Sequence, residues 1–192
     1  MRRPASLLLL LLLPMLLLPG CFQLREPEPA DAVSEWLQPT QIDILLANFT
    51  TAVQRLNPAN YERCFSGPAY RFIPDPTAAG TTAALFANWS VSEERDYFNS
   101  LRRHSAATAT NQLTFTNRRD QFFTTDSAEI SALYQLRIAQ QDTAFRPALL
   151  EGNIRLVVRR RNNEWKIAGW RDQRTAGTQA SWTDLKKYFI SH

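Results

Sequence analysis

The sequence predicts an α+β fold, with helices preceding a set of long antiparallel strands. Three observations predict it. Ile42, Leu45, Leu46, Phe49, Val53 and Leu56 recur three and four apart, one stripe of an amphipathic helix. After about Arg103 the apolar period changes to two, most clearly over Ala128, Ile130, Ala132, Tyr134, Leu136 and Ile138. The stretch from Ala148 to Asp172 reads as two strands around Asn162-Asn163, a pair that tolerates the positive φ angles of a tight hairpin turn.

Ahead of the domain lies a targeting segment. Arg2 and Arg3 precede an apolar run from Leu7 to Leu18, whose 12 residues fall short of the roughly 20 that a membrane-spanning helix needs. The run ends in Leu18-Pro19-Gly20-Cys21, which resembles the lipobox of bacterial lipoproteins. The resemblance implies that residues 1–20 are removed and that Cys21 is acylated and becomes the mature N-terminus. Phe22 follows, not the Asp that holds many such proteins at an inner membrane. The expected location is the cell envelope, on the periplasmic face of an outer membrane where the cell has one. The alternative is an ordinary secretory signal with a chance cysteine. Residues 21–32, with Pro27 and Pro29, read as an extended tether, and residues 33–192 as one domain.

The elements follow in order. Pro39 suits the first turn of the helix from Thr40 to Leu56, and Ala32–Gln38 is expected to add a turn that packs Trp36 and Leu37 beside it. Asn57 and Pro58 fit the cap and first position of a short helix reaching Phe65. Ser66–Ala87, rich in Pro and Gly, reads as loop around a strand at Tyr70–Ile73. Ser90 and Glu93 have the spacing of a capping box, and Val91, Tyr97, Phe98 and Leu101 form the stripe of a helix ending near Arg103. Strands are expected at Gln112–Asn117 and Asp126–Ile138, and a short terminal helix at Ser181–Phe189, carrying Trp182, Leu185 and Phe189.

A two-residue loop at Asn162-Asn163 would set Arg161 opposite Glu164, Val158 opposite Ile167, Leu156 opposite Gly169 and Ile154 opposite Arg171. Ile154, Leu156, Val158, Trp165 and Ile167 then face the core. Arg155, Val157, Arg159, Lys166, Ala168 and Trp170 form the outer face. Trp170 opposite Arg155 suggests a cation–π pair, and Trp170, Arg155 and Arg159 are candidate interface residues, since Trp and Arg are enriched at hot spots.

Bulk properties narrow the function. Without Arg2 and Arg3 the chain carries 20 basic and 18 acidic residues, and its basic runs are short and separated, so no nucleic-acid partner is expected. Two cysteines are present; acylation of Cys21 would leave Cys64 unpaired, and Cys64 reads as a small buried hydrophobe. No metal, nucleotide or other cofactor motif occurs. The sequons at Asn48 and Asn88 read as coincidence.

The segments ILLANFTTAVQRLNPANYERCFS, EERDYFNSL and GNIRLVVRRRNNEWKIAGWRD resemble the nuclear-transport-factor-2-like superfamily, also called cystatin-like, over roughly residues 40–172. The resemblance implies a strongly bent antiparallel sheet wrapped on the long helix to form a cone. Ala30–Pro39 and the terminal SWTDLKKYF lie outside it. The superfamily holds isomerases, cyclases, dehydratases and hydrolases beside many non-catalytic binding and dimerisation modules, so fold alone does not assign a function. An enzyme would need an acid or base in the cone; Tyr97, Tyr134 and Asp172 are the candidate pocket residues, with His104 and Asp96 behind them. None forms a recognisable catalytic constellation. Asp172 is expected at a strand end, in a salt bridge with Arg171 or Arg174. The leading reading is a lipid-anchored, non-catalytic domain binding a small apolar ligand or an envelope protein, with a homodimer through the sheet as one arrangement. The alternative is a small-molecule isomerase, cyclase or hydrolase.

Overall fold

The computed structural model describes residues 36–106, 111–139, 141, 145, 148–177 and 180–191. The apolar leader, Cys21, the tether and Val33 lie outside the described residues. Helix α1 spans Ile42–Arg55 and buries the expected stripe, Ile42, Leu45, Leu46, Phe49 and Val53. It ends at Leu56, whose φ of 48° stops the helix. Helix α2, Pro58–Arg63, starts as its sequence dictates: Asn57 accepts the Asn60 N–H and Pro58 occupies the first turn. Strand β1 is Arg71–Ile73. The Pro-rich stretch expected as loop also holds helix α3, Pro76–Ala79, and a 3₁₀ segment, Gly80–Phe86. Asp75 caps α3 by accepting the Ala78 N–H at 2.7 Å, a local pattern that Pro and Gly mask. Helix α4, Val91–Arg103, has the Ser90–Glu93 capping box.

Four long strands follow: β2 (Gln112–Thr124), β3 (Ser127–Arg137), β4 (Leu149–Arg161) and β5 (Glu164–Arg174), then helix α5, Trp182–Ile190. The sheet order is β1-β5-β4-β3-β2. The long strands are antiparallel, but β1 pairs parallel with β5, so the sheet is mixed where the sequence suggested an antiparallel one. β2 runs seven residues beyond the expected Asn117. A bulge at Asn117-Arg118, with Asn117 at φ 53°, breaks its alternation, and beyond it the strand is exposed on both faces. Residues 36–39 are irregular, so the expected turn beside α1 does not form there. The buried Asn48 side chain instead holds Leu37 through both backbone groups, at 3.1 and 2.6 Å.

The β4–β5 hairpin turns at Asn162 and Asn163, with φ of 50° and 64°. Arg161–Glu164 and Val158–Ile167 pair as expected. Ala168 is then an extra residue, and beyond it the register slips by one: Leu156 faces Trp170, Arg155 faces Arg171 and Ile154 faces Asp172. A one-residue slip moves every later side chain to the other face. The expected exposure of Trp170 is therefore overturned. Its ring is buried between Phe49, Phe72 and Trp182, and Ala168 is buried as well. Arg155 stays exposed, apart from Trp170, and Arg159 is exposed.

Glu35–His192 forms one compact unit, and its buried core runs from Ile42 to Phe189. A chain beginning at Phe22 therefore keeps every core residue. Val158 and Ile167 are fully buried cross-strand partners at the centre of this core. Truncating either to Ala is expected to lower stability by about 1–4 kcal/mol, through lost transfer energy and a cavity. Urea unfolding checks this, and no change in either variant would contradict the core assignment.

Candidate functional site

The interior between α4, the sheet and α5 holds the chain's unusual chemistry. Glu94 and Lys186 are both fully buried, and the Lys186 ammonium donates to Glu94 Oε1. Glu94 also accepts from Tyr61 at 2.7 Å, Tyr70 at 2.5 Å and the Trp89 indole at 2.8 Å. Each donor comes from a different place: α2, the turn before β1, the loop before α4, and α5. The ammonium lies 3.9 Å from the Phe72 ring centre and 3.8 Å from that of Trp170, so cation–π attraction replaces part of its lost hydration.

The sequence-based candidates include neither residue, although a signal is present. Glu94 lies three residues after Val91 and four before Phe98, and Lys186 lies four after Trp182 and three before Phe189. Each charge is in phase with the apolar stripe of its helix. A charge in that phase must either reach solvent or find a partner inside.

The three expected pocket residues converge on the start of α5. Tyr134 donates to Asp172 at 2.8 Å and accepts the Trp182 N–H at 2.6 Å, while Tyr97 accepts from the Trp182 indole at 2.9 Å. Asp172 lies within β5 and is buried, not at a strand end, and its second oxygen accepts the Thr183 N–H and hydroxyl at 2.7 and 2.6 Å. Gly152 makes room for this arrangement. A Cβ there would lie 2.7 Å from both the Gln173 carbonyl and the Tyr134 hydroxyl. His104 and Asp96 stand apart: His104 caps α4, its Nδ1 2.9 Å from the Ser100 carbonyl, and Asp96 pairs with Arg95 at the surface.

Burial sets the protonation of these groups. Desolvation pushes Lys186 down to about 8, with Glu94 pulling it back up. Burial, then the charge of Glu94, raises the Tyr61 and Tyr70 phenols well above 10. Burial also raises the Asp172 carboxyl, against the hydrogen bond from Thr183. Cys64 is buried, and desolvation pushes its thiol up to about 12, which suits a packed side chain and not a nucleophile.

Removing the ammonium alone strands a buried carboxylate, so Lys186→Met is expected to cost about 3–5 kcal/mol at neutral pH. Glu94→Gln in the same chain should recover part of that loss in urea unfolding. The folded chain releases the Lys186 proton near 8 and the unfolded chain near 10.5, so the unfolded chain holds more protons between these values. Stability contributed by this site therefore rises above pH 8, until from about pH 9 the buried Cys64 thiol and then the buried phenols, which ionise first in the unfolded chain, act in the opposite sense. Melting temperature against pH should show that rise in the native chain and lack it in Lys186→Met.

No protein-family model matches the sequence, and no curated protein matches it. Solved structures do resemble the fold. A candidate aromatic ring hydroxylase from Novosphingobium aromaticivorans aligns with a TM-score of 0.56 at 15% identity, over 75% of this chain and 93% of that one. A nuclear transport factor 2-like superfamily protein from Salmonella enterica aligns at 0.54 and 12% identity, over 70% and 88%. A nuclear-transport-factor-2-like protein of unknown function from Shewanella oneidensis aligns at 0.52 and 16% identity, over 69% and 95%. At these identities the likeness is one of fold: this chain has the nuclear-transport-factor-2-like, or cystatin-like, α+β fold.

Proposed function

We propose that this chain is a lipid-anchored envelope protein whose domain is a non-catalytic binding module, meeting its partner at the surface and not in an open cone. The observation that carries the reading is the commitment of the interior groups. Glu94 is bonded to four donors of the chain itself, and Asp172 to Tyr134 and Thr183, all of them buried. A substrate acid or base needs a free lone pair or proton facing the reacting atom. The anchor rests on the leader and the LPGC sequence ending at Cys21.

A second reading, a small-molecule isomerase, cyclase or hydrolase of the same fold, is favoured by one observation. An amine held near pKa 8 beside a carboxylate is the kind of perturbed group that proton-transfer enzymes use. The chain has only three lysines, Lys166, Lys186 and Lys187, which makes the two readings easy to separate. Amine-reactive labelling near pH 8, read by peptide mass spectrometry, should modify Lys166 and Lys187 and spare Lys186 until denaturant is added. Labelling of Lys186 in the native chain would favour the enzyme reading. For the anchor, Cys21→Ser is expected to abolish acyl labelling and either release the protein from the membrane fraction or leave its leader uncleaved. Normal cleavage with unchanged membrane attachment would refute acylation.

A further inference from the structure

Three features of the surface meet at one end of the sheet. Ser127 pairs with Arg159, which sets the β2–β3 turn beside the β4–β5 turn, and the Arg160 N–H and guanidinium bond Asp126 at 2.9 and 2.7 Å across the gap. The chain joins the domain at the same end, where the Pro39 carbonyl accepts the Trp165 N–H at 2.7 Å and Trp36 lies under Arg63 and Lys166. The most exposed large apolar side chains of the described residues are all here: Leu37 at 62%, Phe122 at 60% and Phe123 at 55%. Phe122 stands edge-on to Trp165, its ring centre 6.5 Å away. Around them Arg119, Arg159 and Arg161 are exposed and make no ion pair among the described residues, whereas Arg118 and Arg160 are neutralised by Asp43, Asp120 and Asp126.

Exposed aromatic rings bordered by arginines without an acidic partner match a membrane interface, where rings enter the headgroup layer and cations meet lipid phosphates. Beyond its bulge β2, the edge strand of the sheet, is exposed on both faces, so the two Phe it carries are open to solvent although its partner β3 stays in the core. We propose that this end of the domain docks on an anionic lipid surface through Leu37, Phe122 and Phe123, with Arg119, Arg159 and Arg161 on the headgroups. The proposal deepens the membrane-anchored reading and draws on it for proximity. Trp36 lies 15 positions after Cys21, about 50 Å at full extension, and the chain joins the domain at this end. Tethering at that distance holds the lipid at high local concentration, so a weak surface suffices. Docking would set the sheet end-on to the membrane and point β1, α3 and the far sheet end outward.

The test uses unacylated protein beginning at Phe22, which retains the whole core, sedimented with vesicles of phosphatidylethanolamine and phosphatidylglycerol or of phosphatidylcholine alone. The native surface should bind the anionic vesicles, more weakly as salt rises, and bind phosphatidylcholine poorly. Phe122→Ser with Phe123→Ser should weaken binding on the order of tenfold with melting unchanged, because both rings are exposed. Arg159→Ser with Arg161→Ser, a second and independent variant, should flatten the salt dependence. No binding at millimolar lipid, with Cys21 acylated in cells, would overturn docking and leave the anchor standing. Anionic-vesicle binding with Cys21 unacylated in cells would support docking and remove the anchor. A dimer in light scattering that the Phe pair variant abolishes, without vesicle binding, would assign the patch to a second copy and overturn the proposal.

Discussion

The buried Glu94 carboxylate is the interaction on which the arrangement of this domain most depends. It draws donors from α2, the turn before β1, the loop before α4 and α5, four separate elements of the fold. Hydrophobic burial supplies most of the driving force but is non-directional. A carboxylate with four placed donors fixes distances and angles that apolar packing alone leaves loose. The aromatic rings around it serve both purposes. Tyr61 stacks on Phe98 with ring centres 3.9 Å apart while its hydroxyl reaches Glu94, and Trp170 packs edge-on to Trp182 while its face receives the Lys186 ammonium.

Elements whose residues carry their own local signal were legible in the sequence. The α1 stripe, the Asn57-Pro58 start of α2, the capping box of α4 and the Asn162-Asn163 turn depend on neighbours within a few positions. What escaped depends on distant partners. The bulge at Ala168 sits among small residues, Ala168 and Gly169, whose side chains favour neither face, so nothing local marks the slip that turns Trp170 inward. The parallel pairing of β1 with β5 joins residues about a hundred positions apart. Among the candidate pocket residues, Tyr97, Tyr134 and Asp172 all meet α5 in space. That α5 is what fills their surroundings follows only from tertiary packing.

Fold alone does not assign a function, so the contents of this chain's own interior carry the functional reading. Here α5 supplies Trp182, Leu185, Lys186 and Phe189 to that interior, and the sequence around it lies outside the segments that resemble the superfamily.

Because α5 follows the sheet and the other helices in the sequence, synthesis delivers it after them. Until Lys186 arrives, a partly made chain holds Glu94 without its cation and exposes Phe72 and Trp170, which the helix covers in the finished fold. Such a chain lacks both the cation and the apolar cover that its core uses, and exposed apolar surface of that kind is what chaperones and proteases engage.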